Sequence, residues 1–309
     1  MRIKVYFSLL LVLLLAACKS GGVQQTESCA MYYWRTTLQL SSKERTFLRQ
    51  HHVERLYLRY FDVVNDEAEG PLPNATLSFE DSLPQGVEIV PVVYLHNDCM
   101  RQPQPELADR ILKRVLQMNE TNGVGKLKEL QIDCDWTMTT RRNFFSLMKQ
   151  LQEKCHGRNI VLSATIRLHQ LSQPVPPADR GVLMVYNTGD VTKIDVEKPI
   201  LDLRDVRPYL HLLKDYRLDL SAAYPLFTWQ VLFRAGKFVG IMHGDDDLPV
   251  LSGDSIVTRQ PSLEDILSTR KAIADIRPDV HREVILYDLS IKNIRRFNSN
   301  SYDKIFMGN

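Results

Sequence analysis

Two aspartates lie two positions apart at the end of an apolar run in the segment KELQIDCDWTMTT, residues 128–140. Side chains alternate along a strand, so Asp133 and Asp135 share one face and their apolar neighbours share the other. Two carboxylates about 7 Å apart raise each other's pKa unless a cation lies near them. The spacing therefore predicts either a pair of acids that takes part in acid–base chemistry or a strand end whose acids are structural.

Two arginines that close apolar runs elsewhere in the chain offer such a cation. Arg59 closes the run LYLR and Arg167 closes the run SATIR. We expect one of them to neutralise Asp133, which we interpret as a structural acid. Asp135 comes later in its strand, and we expect it to be the functional carboxylate.

Eight short β-type runs alternate with helical patterns along most of the chain, which is typical of βα units and a parallel sheet. We predict strands over residues 30–36, 53–63, 87–95, 127–135, 159–168, 181–187, 217–225 and 283–289. Eight strands predict one α/β domain, a (β/α)8 TIM barrel over residues 29–309, whereas an open doubly wound sheet would suit five or six equally well. In a barrel the apolar face of each strand packs on the helices, so the two aspartates would point inward.

The segment Thr228–Gly244 breaks this alternation. Two β-rich halves flank Ala235 and Gly236, which predicts a β-hairpin. The hairpin and the loop after it form an insertion between predicted strands seven and eight, and we expect it to cover the C-terminal face of the barrel. Barrel enzymes build their active sites at that face.

The runs LQIDCDWT and VLMVYN resemble the fourth and sixth strands of glycoside hydrolase family 18 barrels. That family carries D-x-x-D-x-D-x-E on the fourth strand and M-x-Y-[DN] on the sixth. Asp133 and Asp135 match the second and third acids of the first motif, Leu130 stands in place of its first acid, and residues 184–187 match the second motif. Residues 128–168 also resemble uncharacterised bacterial barrel proteins that share strands like LQIDxD and LSxTxL.

The resemblance implies roles for particular residues. In family 18 the third acid orients the acetamido group of the substrate, which attacks its own anomeric carbon, and the sixth-strand tyrosine helps to hold that group. Asp135 and Tyr186 would fill these roles. Thr137 stands where the family has the glutamate that protonates the glycosidic oxygen, and general acid help is worth about 10²–10⁴ in rate. Another carboxylate must supply the proton, or the protein binds glycans without cleaving them.

A carbohydrate ligand is therefore expected in either case. The candidate proton donors are Asp62, Asp98, Asp190 and Asp288. The catalytic candidates are Asp135 and Asp133, and the candidate substrate-binding residues, all near predicted strand ends, are Trp34, Arg59, Arg167, Tyr186, Asn187, Tyr224 and Trp229. Apolar sugar faces pack on aromatic rings, although rings at a barrel rim also simply cover a core.

The first residues read as a targeting segment. A basic start and an apolar run too short to span a membrane precede Leu15-Ala16-Ala17-Cys18, so residues 1–17 are predicted to be a signal peptide. The tetrapeptide resembles the bacterial lipobox, which implies cleavage before Cys18 and its lipidation. Residues 18–28 would form a tether, and the lipid would hold the protein on a membrane of the cell envelope, at the outer membrane or the periplasmic face.

Several other functions find no support in the sequence. Removing Arg2 and Lys4 leaves equal numbers of basic and acidic residues, and no basic block argues for a nucleic-acid partner. No dinucleotide or P-loop fingerprint is present, so we predict no cofactor. Four cysteines beyond Cys18 show no zinc spacing, and no framework of disulfides is expected, although one bridge remains open. We predict no metal site, because the acidic loop His243–Asp247 is more often a solvated turn than a cation site.

Overall fold

A computed structural model of the chain describes residues 26–242 and 248–308. Eight parallel strands form its central sheet: β1 (Ser28–Tyr33), β2 (Val53–Asp66), β3 (Glu88–Leu95), β4 (Glu129–Asp133), β5 (Val161–Arg167), β6 (Arg180–Met184), β7 (Asp219–Pro225) and β8 (Glu283–Tyr287). Each strand pairs with its neighbours in chain order, and β1 pairs with both β2 and β8, which closes the sheet. The predicted (β/α)8 barrel is confirmed.

Helices surround the barrel: α1 (Ser42–Gln50), α2 (Leu107–Thr121), α3 (Arg141–His156), α4 (Leu203–Leu213), α5 (Leu263–Ile276), α6 (Ile291–Ile294) and α7 (Ser299–Met307). Short 3₁₀ helices occupy Asn97–Arg101, Leu168–Ser172 and Pro278–His281. The α-helical layer is interrupted twice. A strand at Gly70–Asn74, antiparallel to β2, follows that strand, and the 3₁₀ helix that begins at Leu168 replaces an α-helix after β5.

The two faces of β4 pack as their alternation predicts. Ile132, Cys134 and Trp136 belong to the large apolar core between the strands and the helices. Gln131 points into the barrel, where its side-chain carbonyl accepts a hydrogen bond from the Tyr32 hydroxyl at 2.6 Å. The barrel interior holds a second, smaller core of Ala30, Tyr32, Tyr57, Val90, Val92, Val182, Met184, Ala223 and Ile285.

Buried ion pairs fill the N-terminal end of the barrel. Arg55 on β2 donates to Glu129 at 2.5 Å and to Glu283 at 2.8 Å. Arg180 on β6 also contacts Glu283, and Ser163 donates to Glu129 at 2.6 Å. Buried charges are tolerated when they are paired and hydrogen-bonded. This network can therefore fill one end of the barrel in place of apolar side chains.

The predicted hairpin forms between β7 and β8 as strands Trp229–Arg234 and Lys237–Met242, joined by Ala235 and Gly236. Both turn residues have positive φ, at 48° and 75°, as a tight hairpin turn requires. A third strand, Asp254–Arg259, pairs with the first and was not predicted. Three of its six residues are exposed and only Arg259 is buried, so it lacks the apolar pattern that marks a buried strand. The loop His243–Asp247 lies outside the described residues.

The four cysteines in the described part of the chain, Cys29, Cys99, Cys134 and Cys155, are all buried and free.

Candidate functional site

A cleft opens at the C-terminal ends of the barrel strands. A cavity of about 480 Å³ is lined there by Trp34, Tyr94, Asp133, Asp135, Arg167, Tyr186, Asn187, Phe227, Thr228, Trp229, Tyr287 and Asp288. A second cavity of about 550 Å³ shares four of these residues, Asp135, Arg167, Tyr186 and Asn187, and extends past Thr137 to His169. The two cavities adjoin at these four residues and are together called the cleft, with Asp135 at the boundary between its halves.

The two aspartates share one arginine. Arg167 at the end of β5 donates from Nε to Asp135 Oδ1 at 2.5 Å and from Nη2 to Asp133 Oδ1 at 3.0 Å. Thr165 donates a further hydrogen bond to Asp133 at 2.6 Å. The side chain of Asp133 is 4% exposed and that of Asp135 is 49% exposed. Asp133 is therefore an internal charge, whereas Asp135 faces the cleft.

Burial is the main cause that raises the pKa of Asp133, and Arg167 acts against it by stabilising the carboxylate. The expected structural role of Asp133, with an arginine as its partner, matches this environment. Between the two arginines proposed for that role, the structure selects Arg167.

Arg59 has a different partner. It forms an ion pair with Asp62, three residues along the same strand, and its guanidinium lies 5.5 Å from the centre of the Trp34 ring. It is absent from the residues that line either half of the cleft. Arg59 therefore does not line the cleft, where it was predicted to contact a ligand. It packs instead against Trp34, which does line the cleft.

The loop after β4 positions Asp135. The Trp136 ring is buried and packs on Phe144 and Phe145 of α3, with ring centres 6.0 and 5.2 Å away. Gln170 donates to the Trp136 carbonyl at 3.0 Å. These contacts hold the backbone next to Asp135, so that its carboxylate is presented to the cleft on a fixed segment.

Aromatic rings form one wall of the cleft. Tyr186 contacts Tyr287 and Phe227, with ring centres 5.1 and 5.7 Å apart, and Phe227 contacts Trp229 at 5.1 Å. Trp34 joins the same wall through Tyr287 at 5.5 Å. The predicted residues Trp34, Tyr186 and Trp229 thus come together, although they come from three separate strand ends.

Asn187 extends the wall at the end of β6. Its φ is 55°, a left-handed conformation that asparagine adopts more readily than most residues, and its side chain is exposed. This backbone conformation turns the chain away from the strand direction just after Tyr186.

Tyr224 does not reach the cleft, contrary to its prediction as a substrate-binding residue. Its neighbour Ala223 belongs to the barrel interior, so Tyr224 points outward. The ring is fully buried, and its hydroxyl lies 2.7 Å from Nε2 of His281. Tyr224 is therefore a residue of the outer core.

Three cleft aromatics, Tyr94, Phe227 and Tyr287, were missed by the sequence analysis. Tyr94 and Tyr287 lie at or near the ends of β3 and β8, and Phe227 follows β7 directly. Their positions at strand ends were a usable signal, because residues from different strand ends converge at the mouth of a barrel. The same signal misleads for Tyr224, since alternate residues of a strand point to opposite faces.

Of the four candidate proton donors, only Asp288 lines the cleft among the described residues. Asp62 is paired with Arg59. Hydrogen bonds from the Thr192 hydroxyl and backbone lower the pKa of Asp190, whose side chain is 46% exposed. Burial raises the pKa of Asp288 to about 6.

Thr137, at the position of the family 18 glutamate, lines the second half of the cleft. Its hydroxyl lies 2.9 Å from that of Thr139 and 3.3 Å from that of Thr140. The nearby His169 is exposed, and partial desolvation of its ring lowers its pKa, which favours the neutral imidazole.

Within residues 26–242 and 248–308, no three His, Cys, Asp or Glu side chains are grouped as metal ligands would be. No helix of this part of the chain has the length and apolar character needed to cross a membrane.

No protein-family profile and no curated protein sequence matches the chain. Several solved structures match its fold. The chitinase of Chromobacterium violaceum ATCC 12472 superposes with a TM-score of 0.59 at 10% identity, over 91% of this chain and 98% of that one. The spore cortex-lytic enzyme SleL of Bacillus cereus gives 0.58 at 10% identity, over 92% and 75%.

A third match is the Group IV chitinase of Ostrinia furnacalis in complex with allosamidin, with a TM-score of 0.52 at 10% identity, over 91% of this chain and 94% of that one. At such low identities the likeness extends to the fold. The matched structures share the TIM-barrel fold of this chain.

Proposed function

We propose that this protein is a lipid-anchored, glycoside hydrolase-like protein of the bacterial cell envelope that binds an oligosaccharide and acts on its glycosidic bonds. The observation that carries the proposal is the half-exposed Asp135 carboxylate, fixed at the middle of an aromatic-walled cleft at the C-terminal mouth of the barrel. Barrel enzymes place their catalytic groups at this mouth.

The composition of the cleft suits a sugar. Trp34, Tyr186, Tyr287 and Trp229 offer flat apolar faces, while Asp135 and Asn187 offer hydrogen-bonding groups for hydroxyl and amide substituents. Two joined cavities of about 480 and 550 Å³ provide room for more than one sugar ring. An oligosaccharide lying across Asp135 would therefore occupy both halves.

Asp135 is placed to orient a substrate through a free carboxyl oxygen. Arg167 occupies its Oδ1, and no donor in the described part of the chain occupies its Oδ2. The Oδ2 atom can therefore accept a hydrogen bond from a substrate N–H or O–H group. This matches the assisting role that the family 18 resemblance implies for Asp135, with Tyr186 beside it.

A second candidate function is glycan binding without cleavage. It is favoured by Thr137, because a threonine hydroxyl is a poor replacement for a carboxylic acid as a proton donor. It would retain the aromatic wall and use Asp135 and Arg167 only as polar contacts.

The experiment that separates these functions uses chitin oligosaccharides, peptidoglycan fragments and allosamidin as probes. The structural neighbours suggest these compounds as starting points. Wild type and Asp135→Asn are compared for binding by calorimetry and for cleavage by mass spectrometry of the products. Cleavage that Asp135→Asn reduces at least 100-fold supports the enzyme, and binding without products supports the second function. The absence of binding and of products would refute both.

The membrane attachment is a separate part of the proposal. We expect wild type to partition with membranes and to incorporate labelled palmitate, and Cys18→Ala to do neither, because two signals such as dual acyl chains are needed for stable anchoring. Membrane association of Cys18→Ala equal to that of wild type would contradict lipidation at this residue. Cys29→Ala, which alters a buried thiol within β1, serves as the matched cysteine control.

A further inference from the structure

Hydrolysis in this cleft requires a proton for the departing oxygen, and the usual position cannot provide it. Thr137 carries a hydroxyl, and that hydroxyl is within hydrogen-bonding distance of its neighbours Thr139 and Thr140. Asp135 already accepts a hydrogen bond from the Arg167 guanidinium at 2.5 Å. A general acid must therefore come from another strand.

Asp288 has the required position. It follows β8, and β8 lies four strands from β4 in either direction around the closed barrel, so Asp288 and Asp135 face each other across its mouth. Both side chains line the same half of the cleft, together with Trp34, Tyr186 and Tyr287. A sugar that stacks on these rings would lie between the two carboxyl groups.

The surroundings of Asp288 favour its uncharged form, mainly because the side chain is buried. Within residues 26–242 and 248–308 it forms no ion pair, and the one side-chain donor to its Oδ1, the Asn293 amide at 2.5 Å, acts against burial by lowering the pKa. Arg35, the cation nearest in effect, is engaged by Glu44 at 2.7 Å. Burial raises the pKa of Asp288 to about 6 despite Arg35, and Glu44 contributes in the same direction.

Two carboxyl groups in unlike environments are the usual arrangement for an acid and its ionised partner. We propose that Asp288 is the general acid of this cleft, and that it takes the place of the glutamate missing at position 137. This proposal rests on the hydrolytic function proposed above. Asp98 and Asp62 lie outside the cleft lining, so they cannot share the role.

The proton balance of the reaction is simple. The carboxylic acid of Asp288 gives its proton to the glycosidic oxygen as the bond from that oxygen to the anomeric carbon breaks, and the leaving sugar departs as a neutral alcohol. Water then supplies the hydroxyl group that ends on the anomeric carbon. The remaining proton of that water returns to the Asp288 carboxylate, which restores the acid.

The test compares two aryl glycosides of chitobiose. A 2,4-dinitrophenyl leaving group departs without protonation, whereas a 4-methylumbelliferyl group gains from it. Asp288→Asn should lose about 10²–10⁴-fold in rate on the methylumbelliferyl substrate and stay within a few-fold of wild type on the dinitrophenyl substrate. Asp288→Glu, which keeps an acid, should recover part of the loss. Asp98→Asn, an exposed acid outside the cleft, should match wild type on both.

A pH profile gives a second readout. The acid must be protonated to act, so the wild-type rate on the methylumbelliferyl substrate should fall as the pH rises through about 6, and this fall should disappear in Asp288→Asn. If Asp288 had only a structural role, Asp288→Asn would lower the rates on both substrates equally and leave the shape of the pH profile unchanged.

Each outcome decides between the two proposals. Equal losses on both substrates, or no loss in Asp288→Asn, would overturn the role of Asp288 and leave the hydrolase standing. Binding of chitin oligosaccharides by a wild type that cleaves neither substrate would overturn the role of Asp288 and favour the non-catalytic function. A wild type that neither binds nor cleaves would overturn both proposals.

Discussion

Replacing Arg167 by methionine tests whether Asp133 is held in the barrel by that guanidinium. The substitution keeps an apolar stem of similar length but removes the cation 3.0 Å from a carboxylate whose side chain is 4% exposed. Loss of one partner of a buried ion pair leaves the other charge uncompensated and destabilises by about 3–5 kcal/mol. The Thr165 hydroxyl still donates to Asp133 at 2.6 Å, so we expect the lower end of this range.

The free energy of unfolding at pH 7 should therefore fall by about 3 kcal/mol, a drop in Tm of roughly 6–12 °C. Burial already raises the pKa of Asp133 in the folded state. Without Arg167 this folded-state pKa rises further above the unfolded value of about 3.9. Protonation of Asp133 then increases the free energy of unfolding of the variant. The loss should shrink as the pH falls from 7 towards 4. Urea unfolding at several pH values measures both effects.

Two further variants make the test strict. Asp133→Asn in the Arg167→Met background removes the unpaired charge and should recover much of the loss, because a neutral amide is easier to bury. Arg282→Met removes a surface partner of Asp219, with side chains 44% and 57% exposed, and should cost less than about 1 kcal/mol. A loss below 1 kcal/mol in Arg167→Met, or no recovery in the double variant, would refute the reasoning.

Two other predictions concern the aromatic residues. Trp229→Ala should weaken binding of a chitin oligosaccharide about 2–12-fold by calorimetry, the equivalent of 0.5–1.5 kcal/mol for a lost ring contact. Phe238→Ala, which removes an exposed ring from the next strand of the same sheet but outside the cleft, should leave affinity unchanged; equal effects would contradict the placement of the site. Tyr224→Phe should lower the free energy of unfolding by about 1–3 kcal/mol and leave affinity unchanged, because it deprives the buried His281 of its partner. Burial lowers the pKa of His281 to about 3, so the loss of unfolding free energy should be the same from pH 5 to pH 8. A weaker affinity of Tyr224→Phe for the oligosaccharide would contradict the assignment of Tyr224 to the core.

Local patterns in the sequence predicted the barrel well. All eight strands fall within the predicted runs or overlap them, and the hairpin turn falls at Ala235 and Gly236. The period of two along a strand placed Asp133 inside the barrel and Trp136 outside it. These features depend on residues that are close together in the chain, so a single sequence contains enough information to predict them.

The partners of the two aspartates were not predictable in the same way. Arg59 and Arg167 occupy similar places in their strands, and the sequence left both as partners of Asp133. β5 is adjacent to β4 in the barrel, which brings Arg167 within 3.0 Å, whereas Arg59 on β2 meets Asp62 on its own strand. The choice depends on which strands are neighbours and on how their registers align.

The sequence by itself determined the barrel, the inward direction of Asp133 and the missing acid at Thr137. Only the tertiary structure decided that Tyr224 is a core residue, that Tyr287 and Phe227 join the aromatic wall, and that Asp288 faces Asp135 across the mouth. The physical reason is that strand direction and face follow from local alternation, whereas contacts between strand ends follow from closure of the sheet. Closure brings together residues that lie more than a hundred positions apart in the chain.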